Sequence, residues 1–271
     1  MPFTPAHVAI TLPWRRASRR WVDLTGLAIG SLAPDFEYFL RWAVAAPIGH
    51  SRTVSHSVGA ILYFNLPLVF LLAYLWHGVV RRPLLCHLPR PLDAWLARQA
   101  QARWRLGSVR EVLVFAGSAV AGISSHIFLD AFTHYRGAFV LLWPALATRV
   151  TVLGRELRVY QVLQHGMSVV GLAVVAWLVL AAGAELRAAR PQAGGVGAAR
   201  KLVYWGLVVL FALGAVGQRL VLLRRIESRL VGLYVISLIS GALIGVLVAS
   251  VVCRRAVPGP DRAGEVPPGP S

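Results

Sequence analysis

The sequence predicts an all-α, polytopic integral membrane fold, on three observations. Hydrophobic residues make up 57% of the 271 and charged residues 14%, where a soluble domain carries roughly 25% charged residues. Mean hydropathy is +0.63. The apolar residues gather into segments of about 20, the length that crosses a hydrocarbon core of ~30 Å, and the basic residues fall mostly between them.

Taken in chain order, the first candidate span is Leu24–Ala46, which contains Pro34, Asp35, Glu37 and Arg41. Pro34 lacks a backbone donor and disfavours helix at Ala33, so this segment is expected to break near Asp35 and turn the carboxylate towards a cavity. Val58–Val80 follows as a regular span. Arg81–Arg110 is the longest polar connection, rich in arginine, with an amphipathic surface helix expected around Leu92–Leu106. Val112–Thr133 is the next span, and Phe139–Ala147 is too short to cross and reads as a re-entrant or interfacial piece. Met167–Ala184, Leu202–Leu220 and Val231–Cys253 complete a set of about six spans. Residues 1–255 are expected to form one membrane-embedded helical domain. Within it 185–201, with Pro191, Gly194, Gly195 and Gly197, reads as a flexible linker, and the proline-rich 256–271 reads as a disordered tail.

A net charge of +17 would point to nucleic acid in a soluble protein, but no basic face with interleaved aromatics stands out, and nucleic-acid binding is not expected. The positive-inside rule, applied to six spans, puts both termini in the cytoplasm, with the chain in a cell (inner or plasma) membrane and the lipid bilayer as its main partner. Gln218–Arg229 is the arginine-rich exception on the opposite side. Met1–Arg20 has no apolar core followed by a small-residue cleavage site, so no cleaved signal peptide is expected. Cys86 and Cys253 have no CxxC spacing and support neither a disulfide framework nor a thiolate metal site. No GxSxG elbow, HExxH pair, phosphate-cradling loop or dinucleotide fingerprint is present. No protein partner is indicated.

The chemistry-bearing pattern is Ser125-His126-Ile127-Phe128-Leu129-Asp130-Ala131-Phe132-Thr133-His134. Helical spacing puts His126, Asp130 and His134 on nearly one face of an apolar segment. Ionisable groups at membrane depth are costly, are usually partnered, and mark function. A satisfied interhelical pair would explain the stripe without a ligand; a metal site would explain it together with its neighbours. Those neighbours are His7 near the start, Asp35 after Pro34, and His50 and His56 bracketing Ser51-Arg52-Thr53-Val54-Ser55. His7 reads equally as a ligand or an interfacial residue, and Asp35 as a ligand or a helix cap. His134 also suits a helix C-terminus, where the macrodipole favours a cation. His165, four residues after Gln161, is a weaker candidate, and His77 and His87 read as surface residues beside the arginine-rich connection. Imidazoles and carboxylates together suit zinc or another divalent transition metal.

Three blocks carry a resemblance: Met1-Pro2-Phe3-Thr4-Pro5-Ala6-His7, Gly30-Ser31-Leu32-Ala33-Pro34-Asp35-Phe36-Glu37-Tyr38-Phe39 and the Ser125 to His134 run. They resemble a bacterial integral-membrane family catalogued as domain of unknown function 4184, over roughly residues 1–250, which brings no established activity. More distantly, the chain is similar to inner-membrane proteins described as metal-dependent hydrolases. Those share an early His (His7), a Pro-Asp block (Pro34-Asp35), His-x5-His-Ser (His50 to His56-Ser57), Ser-His-x3-Asp (Ser125 to Asp130) and Leu-Trp-Pro (Leu142-Trp143-Pro144). Phe36 and Tyr38 stand where that group tends to carry further Asp and His. The His-x3-Asp step is also similar to the zinc helix of soluble zinc-dependent phospholipases C.

These readings combine into an expected membrane-embedded, zinc-type metal-dependent hydrolase acting on a phosphoester or lipid-like substrate. His7, Asp35, His56, His126, Asp130 and His134 are its candidate ligands, and His50 or His134 could complete the centre or move protons. Glu37 is the candidate general base, and Arg52 or Arg136 would meet phosphoryl charge. The competing expectations are a metal or proton transporter or sensor, which would favour internal repeats that this chain lacks, and a structural bundle without catalysis.

Overall fold

The computed structural model describes residues 4–18, 20–40, 54–102, 104–188, 196–223 and 231–254. A 3-10 helix, Thr4–Trp14, precedes α1 (Leu24–Leu40). A 3-10 turn Val54–His56 leads into π-helical Ile61–Asn65, α2 (Leu66–Leu75), π-helical Trp76–Val80 and α3 (Arg81–Cys86). Two short helices follow, α4 (Leu92–Trp95) and α5 (Ala97–Gln101). Then come α6 (Val109–Thr133), α7 (Ala138–Leu142) and a 3-10 turn Pro144–Ala147. The antiparallel strands β1 (Arg149–Val152) and β2 (Arg155–Arg158) precede α8 (Val159–Ala188), α9 (Ala198–Leu223) and α10 (Val231–Val252).

Among the described residues, five helical stretches are long and apolar enough to cross a membrane: Ile61–Cys86, Val109–Leu142, Val159–Ala184, Ala198–Leu223 and Val231–Val252. The fold is therefore all-α and polytopic, as the composition predicts. Of the sixth expected span, the described part is the 17-residue helix Leu24–Leu40, and Arg41 with the rest of that segment lies outside the described residues. The helix runs unbroken through Pro34, against the expected break. Membrane helices tolerate an internal proline where neighbouring groups serve the adjoining backbone. Here the Ser31 carbonyl accepts from His126 Nδ1 at 2.7 Å and the Pro34 carbonyl from Ser55 Oγ at 2.8 Å.

Contacts gather the chain into two compact units. The first comprises 1–73 and 105–183, and its spine is α1 packed along α6. Gly26 and Gly30 of α1 and Gly122 of α6 let the backbones touch. A Cβ at Gly30 would stand 2.4 Å from the Ala119 carbonyl oxygen, and one at Gly122 would stand 2.3 Å from that of Leu27. Such small-residue contacts are how apolar helices associate without a hydrophobic driving force. Asp23 registers the pair: its Oδ1 accepts from Gly26 N–H at 2.9 Å, capping α1, while its own N–H donates to Ser118 Oγ of α6 at 2.9 Å. Ser108 and Glu111 start α6 with a reciprocal capping box.

The order of contacts, Gly26 on Phe115, Gly30 on Ala119 and Ser31 on His126, shows that α1 and α6 run parallel. The Thr4–Trp14 segment packs back along α1 with Thr4 bonded to Asp35, so residue 7 returns to the level of residue 35. Gly171 of α8 admits this segment; a Cβ there would stand 2.7 Å from the Ala6 carbonyl oxygen. At the end of α6, Phe132 stacks on Phe139, which in turn stacks on Trp143. The β1–β2 hairpin, which hydropathy did not foreshadow, turns on Leu153 and Gly154, both with positive φ (50° and 74°), the two-residue geometry that suits the strand twist.

The second unit comprises 74–104 and 184–271, and is built on α9 against α10, where Gly241 and Gly245 meet Phe211 and Val208. Tyr204 Oη is 2.9 Å from Ser250 Oγ, and Arg219 Nε donates to Ser237 Oγ at 3.3 Å. His87, expected at the surface, is fully buried: its ring stacks on Tyr204 and its carbonyl accepts from Trp205 Nε1. The amphipathic helix expected over Leu92–Leu106 is replaced by α4 and α5, with Asp93 buried against Lys201. Of the expected linker 185–201, residues 185–188 belong to α8 and 198–201 to α9, while 189–195 and the tail from 255 lie outside the described residues.

Candidate metal centre

Four side chains of the first unit converge: Asp35 from α1, His56 from the Val54–His56 turn, and His126 and Asp130 from α6. One ligand atom of each lies within 4.8 Å of all the others. Asp35 and His126 are fully buried and Asp130 nearly so. Four distances define the cluster. His56 Nε2 is 3.5 Å from Asp35 Oδ1 and 3.4 Å from Asp130 Oδ2; His126 Nε2 is 3.5 Å from each of the same two oxygens.

The tautomers follow from the surrounding bonds. The Ser31 carbonyl can only accept, so His126 Nδ1 carries a proton and donates to it. Ser55 Oγ donates to the Pro34 carbonyl, which leaves it to accept from His56 Nδ1 at 3.1 Å. Both imidazoles thus turn an Nε2 lone pair towards two carboxylate oxygens. Ligands held about 2.1 Å from a tetrahedral zinc ion stand about 3.4 Å apart, so the spacing matches the edges of such a coordination shell. The residues present fit a divalent metal, and the bonds to Nδ1 are the outer-shell partners that metal-binding histidines ordinarily have.

Electrostatics agree where they bear on it. Burial disfavours a proton on His56, but the Asp130 and Asp35 carboxylates outweigh it and raise its pKa, so positive charge is welcome at this point. His7 behaves oppositely: burial first, and then the neighbouring His126, lower it to about 4, which keeps it a neutral imidazole at pH 7.

The other expected site residues are placed as follows. His7 is buried beside the cluster, stacked on His126 with ring centroids 3.9 Å apart and Nε2 3.9 Å from Asp130 Oδ1. His134 caps the end of α6, its Nδ1 donating to the Asp130 backbone carbonyl at 3.0 Å. It lines a pocket of about 270 Å³ with Tyr38, His56, Ser57, Val58, Ile127, Asp130, Ala131 and Ala138. Glu37 is buried with Oε2 accepting from Ser55 N–H at 3.2 Å, where it steadies the turn that carries His56. His50 and Arg52 lie outside the described residues. Arg136 and His165 are exposed, His165 on α8.

Thr4 and Ser55 were not anticipated. Thr4 Oγ1 donates to Asp35 Oδ2 at 2.6 Å, fixing which oxygen faces the imidazoles. Asn65, fully buried, donates from Nδ2 to the Ser55 carbonyl at 2.7 Å and anchors the same turn. The readable signal was a small hydroxyl residue beside or three positions from a histidine in an apolar context.

A family model described as domain of unknown function (DUF4184) matches residues 1–251. No curated protein and no solved structure matches the chain.

Proposed function

We propose, for a chain that belongs to the DUF4184 family and takes no activity from it, a membrane-embedded metal-dependent hydrolase centred on Asp35, His56, His126 and Asp130. One observation carries the reading: both imidazoles have Nδ1 committed to outward bonds and both Nε2 atoms aimed at the same two carboxylate oxygens. A buried set of four electron-rich atoms at coordination-shell spacing calls for a cation.

A divalent ion there, zinc by ligand type, would supply a bound water of near-neutral pKa and polarise a phosphoryl or acyl oxygen. The protein's own contribution is orientation. Ser31 and Ser55 hold the imidazoles, Thr4 holds Asp35, and Glu37 and Asn65 hold the turn bearing His56. His134, at the pocket wall beside Asp130, is positioned to take or return a proton. Val58, Ile127, Ala131 and Ala138 give that pocket an apolar wall, and Tyr38, Ser57 and His134 give it a polar one. A lipid-like ester with its reacting group at the polar side suits such a lining.

The test is bound metal in detergent-purified protein, followed by hydrolysis of a phospholipid and phosphoester panel with and without chelator. Stoichiometric zinc, lost in His126→Ala and Asp130→Ala together with product release, supports the proposal. Protein that never retains a transition metal, or hydrolysis indifferent to chelation, overturns it. Zinc uptake into vesicles without hydrolysis also overturns it, in favour of transport.

A further inference from the structure

Asp130 has a second oxygen that the four-residue cluster does not use. Oδ2 is the oxygen 3.4 Å and 3.5 Å from the Nε2 atoms of His56 and His126, while Oδ1 is buried and has no hydrogen-bond partner among the described residues. The imidazole in front of it is His7, whose Nε2 lies 3.9 Å away and whose side chain is 1% exposed. Neither ring nitrogen of His7 has a hydrogen-bond partner among the described residues. If stacking on His126 were its whole role, a phenylalanine would stack as well without burying two unsatisfied nitrogens at a cost of about 1–3 kcal/mol each. An orphaned imidazole aimed at an orphaned carboxylate oxygen is a pair of donor atoms facing one point.

The stacking supplies the spacing. The His7 and His126 rings are nearly parallel, 18° apart, with centroids 3.9 Å apart. Each sends its Nε2 towards a different oxygen of one carboxylate, His126 to Oδ2 and His7 to Oδ1. A carboxylate that bridges two metal ions through its two oxygens holds them about 3.5–4 Å apart, as in two-metal hydrolytic sites. The 3.9 Å between the two rings falls within that range.

We infer that a second divalent-cation site lies beside the first, with Asp130 as the bridge and His7 Nε2 as its imidazole ligand. The inference rests on the metal-centre reading above. With two protein donors among the described residues, the second ion is the weaker of the pair and completes its shell with water or substrate oxygens. Nitrogen and carboxylate donors make it a transition-type ion, zinc, manganese or cobalt. His134 Nδ1 is 3.6 Å from the same Oδ1, but it is committed as a donor to the Asp130 backbone carbonyl, so His134 flanks this site without ligating it.

The experiment uses the full chain in detergent, stripped with chelator, reloaded with zinc or with Mn(II), and read by ions bound per chain and by electron paramagnetic resonance. Wild type is expected to bind two zinc ions in separable steps, His7→Gln one, and His134→Ala two. Two Mn(II) ions at this separation couple and lose the isolated six-line spectrum; His7→Gln restores it. One ion per chain in wild type, with an uncoupled spectrum and no change in His7→Gln, overturns the second site and leaves the first reading standing. No bound metal overturns both. Loss of an ion in His134→Ala but not in His7→Gln overturns the assignment to His7. Should His7→Gln fail to fold, the wild-type stoichiometry and spectrum decide alone.

Discussion

Ser55 does more than its size suggests. One hydroxyl joins the turn that bears His56 to the carbonyl of Pro34 in α1 and fixes which imidazole nitrogen carries the proton. Partners of this kind commonly contribute 10–100-fold to metal affinity. Ser55→Ala is expected to weaken the first ion by about that factor while leaving the helical content unchanged, measured by competition against a chromogenic chelator. His7 makes a pH prediction. Its pKa falls from 6.5 unfolded to about 4 folded, so between those values the unfolded chain binds more protons and its contribution to stability declines as pH drops. In chelator-stripped protein, the melting temperature should fall more steeply from pH 6.5 to pH 4.5 in wild type than in His7→Gln. Equal slopes would show that His7 protonates freely in the folded chain.

At the scale of elements, the site depends on the α1–α6 contact, and that contact depends on three glycines. Gly122→Ala forces its new methyl against the Leu27 carbonyl oxygen and is expected to cost about 1–3 kcal/mol through overpacking. Gly214→Ala, where a Cβ meets nothing within 4 Å, should be neutral or mildly stabilising, since it only removes backbone freedom. Thermal unfolding in one detergent compares the two. This contact was not among the expectations from the sequence, although its signal was present there. Gly26-x-x-x-Gly30 and Gly241-x-x-x-Gly245 stand in the sequence as small-residue motifs, and both lie at close helix contacts. The expected break at Pro34 was not realised, because a proline read in isolation shows only the donor it lacks. The carbonyls around it are served by His126 and Ser55, which are 95 residues and 21 residues away in sequence respectively. His126 and Asp130 were readable from spacing alone; His87 was not, because its partner Tyr204 comes from a distant helix.

For the whole molecule, hydropathy captured the fold class and most span positions, while the N-terminal region required the structure. A histidine at residue 7 and an aspartate at residue 35 are far apart along the chain, yet the 3-10 segment runs back along α1 and brings both to the end of α6 that carries Asp130. A topology prediction follows from α8, long enough at 30 residues to cross on its own. Leu153, 99% exposed at the hairpin tip before α8, and Ala184, at the far end of the apolar stretch of that helix, should lie on opposite faces of the membrane. Single cysteines placed there, against native Cys86 and Cys253 that are both buried, should react with an impermeant maleimide on one face only. Labelling of both from one side would show that α8 does not cross.

The place of Asp35 in α1, beside Pro34, has a consequence for how the chain is made. Asp35 leaves the ribosome some 90 residues before His126 and Asp130, and until they arrive its carboxylate has Thr4 and His56 for company but lacks the helix on which α1 packs. A nascent chain stopped before α6 should therefore hold α1 loosely or shed it to the surface. Insertion of the amino-terminal third becomes a post-dated event, completed when α6 enters beside it. Glycosylation or protease mapping of stalled chains, with arrest placed before Val109 or after Thr133, would register that delay as a change in α1 protection between the two arrest points.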